Sequence, residues 1–369
     1  MKSLKDKIAV VAGATRGAGR GIACMLGEAG ATVYCTGRST RENPATAGRP
    51  ETIEETAEMV SGFGGVGFYT QVDHTDEAQV KALFERVHKE QGRLDILVND
   101  IWGGDALTEW SKPFWELDLQ KGQTMLERAV WAHIITARYG AALMVKNDTG
   151  LIIEITDGDE AMNRHYRGNL FYDLSKISAM RLAFGMAQEL RDTNITTLAL
   201  TPGFLRSEAM LEHFGVTEEN WEAAIEKDRH FAHSETPFYV GRAVAALAAD
   251  AEVWKKSGKS FSSWALAEEY GFTDMDGRQP HFGRHMDKLL SKLWPQVIQA
   301  IYATLKKHNL NPDDILSPDR ETFTIRANLT PDAPSPDWFD FNLGFVEIVI
   351  GNPKAIAEKF YQKYCKHRH

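Results

Sequence analysis

The chain has 369 residues, 43% of them hydrophobic and 25% charged, and its 42 Lys and Arg against 51 Asp and Glu leave a net charge of −9. This is the composition of a globular protein with room for a large core, and the acidic balance excludes a nucleic-acid partner of the usual kind, which needs cationic surface to replace phosphate counterions. Three scattered cysteines, Cys24, Cys35 and Cys365, form no Cys-x-x-Cys and suit a reducing cytoplasm better than a disulfide framework.

Along the chain, Met1 to Val11 carries lysines before a very short apolar run, less than the ~7–15 residues of a secretory signal core. No later run reaches the ~18–20 residues of a membrane span. Short, apolar, β-branched runs follow at Ile8–Ala12, Thr32–Thr36, Val66–Val72, Leu94–Asn99, Leu151–Thr156 and Thr196–Thr201. They read as strands buried on both faces. Stretches of helical spacing lie between them, such as Glu77–Gln91 and Ser175–Arg191. Alternating β and α elements predict a mostly parallel, doubly wound α/β sheet with right-handed crossovers.

After Asp276 the texture changes, so residues 1–276 are expected to form the α/β domain and 277–369 a helical or irregular C-terminal extension. His285–His308 has helical spacing, with Pro295 expected to kink or break it near Trp294. Asn311–Asp340, rich in Pro and Asp, reads as an irregular connector. Asn352-Pro353 looks like a cap and first-turn proline opening a last helix to about Tyr364. The extension carries no functional motif and is expected to serve packing or oligomerisation.

The first strand runs straight into Gly13-Ala14-Thr15-Arg16-Gly17-Ala18-Gly19 and then a helix. A turn that feeds a strand into a helix N-terminus aims free N–H groups and the helix dipole at one point, which favours a pyrophosphate. Gly13, Thr15, Arg16, Gly17 and Gly19 are therefore the expected dinucleotide contacts. The second strand ends in Thr36-Gly37-Arg38, with Gly37 where NAD-binding chains place a ribose-binding acid. Arg38 offers a fork for a 2′-phosphate, Arg16 adds a second positive charge, and the expected cofactor is NADP(H).

Together with that turn, four further motifs resemble the short-chain dehydrogenase/reductase family over residues 5–275. They are Val72-Asp73, Asn99-Asp100-Ile101-Trp102-Gly103, Tyr172-Asp-Leu-Ser-Lys176 and Pro202-Gly203. In detail, through Tyr139-Gly140-Ala141 and the run from Tyr270 to Arg278, the chain resembles the dehydrogenase/reductase member 1-like branch. The resemblance implies a Rossmann fold and a dimer or tetramer. It also implies cofactor contacts at Asp73 (adenine), Asn99, Tyr172, Lys176 (nicotinamide ribose), Pro202 and Gly203. A second Tyr-x-x-x-Lys, Tyr302 to Lys306, lies in the extension and is expected to be chance.

Tyr172 and Lys176 stand at i and i+4, on one side of a helix. An ammonium and a positive nicotinamide both favour the phenolate, so Tyr172 is the expected acid/base for a small-molecule carbonyl or alcohol. The chain departs from the family twice. Where the family has a Ser after the fifth strand, this chain has Asp157, preceded by Thr156. Either a protonated Asp157 or the Thr156 hydroxyl would have to contact substrate. The family's helix Asn is missing, with Ala129 near its place and His133 one turn on.

Trp102, Trp110, Phe114, Trp115, Trp131, Phe171 and Phe204 are candidates for an apolar substrate pocket, and Leu205 to Pro237 for a lid. His230-x-x-His233 lacks a matching third ligand or an HExxH motif, so no metal site is expected. The leading expectation is an NADP-dependent oxidoreductase. The alternatives are an NADP-binding sensor or scaffold with little catalysis, and an epimerase or dehydratase on the same fold.

Overall fold

The structure, a computed structural model, describes residues 3–46, 48–110, 112–321, 323–329, 338–343, 348–349 and 351–368. The chain divides into two units, Met1–Asp159 with Phe171–Phe282, and Glu160–Leu170 with Gly283–His369. Residues 277–282 thus belong with the α/β body, and residues 160–170, which the sequence places there too, belong with the extension.

The first unit is built on seven strands, β1 (Ile8–Ala12), β2 (Thr32–Gly37), β3 (Val66–Gln71), β4 (Ile96–Asn99), β5 (Gly150–Ile155), β6 (Ile195–Thr201) and β7 (Ser260–Ser262). They lie in the order β3-β2-β1-β4-β5-β6-β7, and every adjacent pair is parallel. The helices are α1 (Gly17–Glu28), α2 (Ile53–Gly62), α3 (Glu77–Gln91), α4 (Leu119–Leu126), α5 (Ala132–Asn147), α6 (Leu170–Glu189), α7 (Glu208–Phe214), α8 (Pro237–Ala249) and α9 (Ser263–Tyr270). This is the doubly wound fold expected from the sequence. β7 is the strand the sequence does not announce, because Ser-Phe-Ser is too short and too polar to register as an apolar run.

Strand periodicity divides the core in two. Ala9, Val11, Val33, Val98 and Ile153 face one layer with Ile22 of α1 and Val240 of α8. Ile8, Val10, Tyr34, Leu97 and Ile152 face the other with Leu83 of α3 and Leu143 of α5. Successive residues of one strand thus serve opposite layers, and the strands read as unbroken apolar runs for that reason. The order reverses at β1 and β4, which opens a crevice outside their carboxyl ends.

The second unit is the expected helical extension, with a small sheet in place of part of its irregular connector. α10 (Phe282–Lys307) runs unbroken through Pro295. The proline removes one backbone donor, but Trp294, Val297, Ile301 and Leu305 are all buried and hold the helix continuous. A short α11 (Pro312–Ile315) follows, then the antiparallel sheet β10-β9-β8 of β8 (Leu316–Asp319), β9 (Thr324–Asn328) and β10 (Trp338–Asn342). The expected connector therefore folds as strands. In β9, Ile325 and Ala327 turn inward and Arg326 outward, an alternation too brief to stand out among the surrounding Pro and Asp. Residues 330–337 of that connector lie outside the described ones. α12 (Pro353–Arg368) closes the unit as expected, with Asn352 accepting from the Lys354 N–H at 2.9 Å. Tyr302 and Lys306 are both on α10, in this unit.

Leu198 sits in the interior of β6 with no exposed surface. Leu198→Ala is expected to cost about 2–5 kcal/mol, read as a lower denaturant midpoint at unchanged slope.

Candidate functional site

The expected site residues gather at the carboxyl ends of the strands. Gly13 and Ala14 follow β1 and both donate to the Thr36 carbonyl of β2, at 3.0 and 2.9 Å. Gly13 has φ +92°, and a Cβ there would lie 2.2 Å from the Asp100 carbonyl, so only glycine fits. α1 then begins with no side-chain cap and no acidic residue in its first turn. By contrast Thr52, Asp76, Asp118, Ser207, Thr236, Ser262 and Asn311 cap α2, α3, α4, α7, α8, α9 and α11. The Gly17 N–H instead donates to a carboxylate from far along the chain, Glu208 Oε2, at 2.8 Å. An anion thus occupies the start of α1, and a donor set of this kind fits a phosphate.

Gly37 is required for a different reason. A Cβ on it would lie 2.6 Å from Thr15 Oγ1, so close packing of the glycine turn leaves no room for the acid that NAD-binding chains carry here. Arg38 follows, half-buried, and among the described residues its guanidinium has no hydrogen-bond or ion-pair partner. Arg16 does not join it. Arg16 pairs with Glu51 at 3.3 Å and donates to Thr46 Oγ1 at 2.7 Å. The second cation near Arg38 is Arg128, whose Nη1 donates to the Gly103 carbonyl at 2.8 Å. Burial, with the Arg38 charge adding to it, pushes the Arg128 guanidinium below its ordinary value. The sequence gives no sign of Arg128, which precedes the expected cluster on no motif.

Asp73, after β3, takes the Thr75 hydroxyl at 2.7 Å and the Thr75 N–H at 3.0 Å on one oxygen. Burial opposes its ionisation, but those two donors and Arg38 hold its carboxyl below the usual range. Asn99 turns inward. Fully buried, it donates to Glu154 Oε1 at 2.7 Å and to the His133 carbonyl at 3.4 Å, so its side chain is a strut beneath the crevice. Its neighbour Asp100 takes the Gly19 N–H, and burial drives its carboxyl up to about 7 against the pull of Lys176.

Tyr172 and Lys176 share one side of α6, as their spacing requires. The Tyr172 hydroxyl donates to Asp157 Oδ2 just past β5. The Lys176 ammonium lies 3.7 Å from the Trp102 ring centre and 5.4 Å from that of Tyr172. Of the two residues offered in place of the family's Ser, it is Asp157 that meets the phenol. The Thr156 hydroxyl donates to the Lys176 carbonyl at 2.6 Å and joins β5 to α6. Trp102 and Trp110 pack against the Tyr172 ring at 5.7 and 5.1 Å. The other expected aromatics lie elsewhere. Phe114 and Trp115 are exposed and meet edge to face, Trp131 and Phe171 line a separate surface groove, and Phe204 packs on Phe231.

Ala129 lies in a π-helical turn, Glu127–Trp131, between α4 and α5. Such turns recur at functional sites. His133, one turn on, is buried, with Nδ1 2.5 Å from Glu154 Oε2 and Nε2 3.0 Å from the Ile101 carbonyl. Each ring nitrogen faces an acceptor, which fits an imidazolium. Burial opposes that charge, but Glu154 outweighs it and holds the ring above its ordinary value.

After β6, Thr201 accepts from the Gly158 N–H at 2.8 Å, and the Gly203 N–H donates to Glu235. Glu235 is fully buried, takes the Ser263 hydroxyl at 2.7 Å, and leaves Oε1 without a hydrogen-bond partner among the described residues. The expected lid leaves the sheet here as α7 and two 3₁₀ turns, and returns where Leu205 bridges Glu235. Arg206, wholly buried, anchors it through Glu218 at 2.8 Å and Asp276 at 3.1 Å. Arg206 and Arg278 both lie over the Trp221 ring, at 4.3 and 4.5 Å. The run from Tyr270 to Arg278 thus clamps the lid. Among the described residues no group of three or more His, Cys, Asp or Glu side chains is arranged to hold a metal ion.

Three comparisons bear on this geometry. The short chain dehydrogenase family profile matches residues 7–215. Dehydrogenase/reductase SDR family member 1 of Mus musculus is 36% identical over 280 residues, covering 74% of this chain and 85% of that one. Its Homo sapiens counterpart is 34% identical over 279 residues with the same coverage. Among solved structures, a short chain dehydrogenase of Mycobacterium thermoresistibile superposes with a TM-score of 0.62 at 21% identity, over 76% of this chain and 92% of that one.

Burial lifts the Glu235 carboxyl to about 8 from 4.5. The folded state therefore keeps a proton that the unfolded state releases, and stability falls as pH rises between those values. Glu235→Gln has no such penalty. Its melting temperature is expected to gain on the wild type from pH 5 to pH 8.5, and a gap that stays constant over that range would contradict the assignment.

Proposed function

The chain belongs to the short-chain dehydrogenase family, and from that premise we propose that it is an NADP(H)-dependent oxidoreductase interconverting a small-molecule carbonyl and its alcohol. The observation that carries the reading is Tyr172, four residues before Lys176, with its hydroxyl bonded to Asp157 at the crevice where the glycine turn opens. The bound nicotinamide supplies the hydride chemistry. The protein's own residues supply the rest.

Tyr172 gives its proton to the oxygen that becomes the alcohol, or takes it back in the reverse direction. Lys176 adds positive charge beside the phenol and favours the anionic oxygen it leaves. Asp157 works the other way. As an acceptor it holds the proton on the phenol and fixes the ring's direction before substrate arrives. The carbonyl oxygen must then take over the hydrogen bond that Asp157 accepts in the free protein. Trp102 and Trp110, flanking the Tyr172 ring, favour a substrate with an apolar body next to its carbonyl.

The preference for NADP(H) rests on Arg38, whose guanidinium makes no hydrogen bond or ion pair among the described residues, with Arg128 rather than Arg16 as the neighbouring charge. Free thiols at Cys24, Cys35 and Cys365 support a cytoplasmic setting, and the family supports a dimer or tetramer.

Tyr172→Phe is expected to lower turnover on a panel of aliphatic, aromatic and terpenoid carbonyls by about 10²–10⁴-fold, with NADPH binding retained. Tight binding with no turnover by the wild type on any member would favour the sensor reading. Arg38→Ala is expected to weaken NADPH about tenfold or more while leaving NADH within about twofold, as the loss of one charge-assisted contact to the 2′-phosphate dictates. Equal losses for both cofactors would remove Arg38 from that role.

A further inference from the structure

Resting on the cofactor reading above, we propose that Glu208 is an intramolecular stand-in for a cofactor phosphate, which latches α7 onto the glycine turn until a dinucleotide takes its place. Three observations converge on it. The N-terminus of α1 is left without a cap of its own. The Gly17 N–H is satisfied at 2.8 Å by Glu208 Oε2, a side chain 191 residues away in sequence. The second oxygen of the same carboxylate lies 3.8 Å from Arg20 Nε, one turn into α1. The carboxylate therefore has the two partners a phosphate oxygen would seek there, a helix N-terminal donor and a cation.

α7 has one further attachment of the same kind. Glu212, one turn on from Glu208, pairs with Arg49 at 3.0 Å. Arg49 also meets Glu51 at 3.4 Å, and Glu51 pairs with Arg16 of the turn. The helix is thus strapped across the turn by two carboxylates, and one of them sits on the phosphate position. A carboxylate and a phosphate cannot both use the Gly17 N–H, and their charges repel at that separation. Dinucleotide binding must therefore displace Glu208 and release one of the two straps.

The consequence is a coupling in both directions. Only the fraction of molecules with Glu208 withdrawn is ready to bind, so the latch weakens the apparent affinity. By reciprocity, bound cofactor loosens α7. Because α7 opens the lid segment that follows Pro202-Gly203, cofactor arrival is tied to lid release.

The test uses the full chain as wild type, Glu208→Gln, Glu208→Ala and Glu212→Gln. NADPH affinity is read by nicotinamide fluorescence, with inorganic pyrophosphate as competitor, and hydrogen exchange is followed in α7 with and without NADPH. Both Glu208 variants are expected to bind NADPH and pyrophosphate about five- to tenfold more tightly. Glu212→Gln keeps the Gly17 N–H covered and is expected to change affinity by less than about twofold, well below that coupling. Amides of α7 are expected to exchange faster in NADPH-bound wild type and in both Glu208 variants without ligand. Unchanged affinity in the Glu208 variants, an equal gain in Glu212→Gln, or α7 exchange indifferent to NADPH would each overturn the latch while leaving the cofactor reading intact. No NADPH binding by any of the four proteins would overturn the cofactor reading and the latch together.

Discussion

The uncapped start of α1 is the constraint from which the site follows. A helix N-terminus leaves several N–H groups unsatisfied, and most helices of this chain answer with a side-chain cap of their own. α1 does not. Its first turn is instead fixed from both sides. β2 accepts from Gly13 and Ala14 through Thr36, and the Asp100 N–H donates to Ala12 while its carboxylate takes the Gly19 N–H. Asp100 takes the Gly19 donor, while the Gly17 donor is held in a defined direction and answered from far along the chain. Holding unsatisfied groups in a defined direction is how a backbone becomes a binding site, and it makes an external acceptor necessary, whether a ligand or Glu208.

A second theme is the charge the chain buries beneath that crevice. Asp157 stands against the Tyr172 hydroxyl, and Ala129 lies in a π-helical turn. Charged groups surround both positions. Glu154, with no exposed surface, meets His133, and Asp100 lies within the field of Lys176. Removing charge from water is costly, and mutual attraction repays it only when geometry and hydrogen bonds are good. The layer is therefore weak support for stability. What it does supply is direction, since Asn99, His133 and Glu154 fix one another and so fix where β4 and β5 end.

The sequence conveyed the sheet almost whole because strands buried on both faces cannot avoid being apolar throughout. Ile8–Ala12 needs no context to be recognised. β7 does, because three residues beside β6 form a strand only through their neighbour. The strands of the second unit were illegible for a related reason. Ile325 and Ala327 are two inward positions amid polar residues, and only pairing across the sheet makes them a pattern. At the site, spacing within one element was enough for Tyr172 and Lys176. Contacts between distant elements were not. Nothing in the sequence says that Arg16 would be spent on Glu51, that Arg128 would approach Arg38, or that Glu208 would reach Gly17. Two equally plausible neighbours, Thr156 and Asp157, were separated only by where β5 ends, since one residue of register sends the first side chain to the Lys176 backbone and the second to the phenol.

The membership of residues 160–170 in the second unit has a consequence for how this protein can be rearranged by evolution or by hand. The segment between Asp157 and Tyr172 packs with the extension, where the His165 ring stacks on Phe323 at 4.1 Å. The extension is therefore not a cassette that ends at one junction. Grafting residues 283–369 onto another family member would transplant a core lacking one of its own pieces, and shortening the gene at that point would strip the packing from a stretch of chain threaded between two site residues. The second unit is stitched from two separate stretches of the chain, and any exchange of the extension has to carry both.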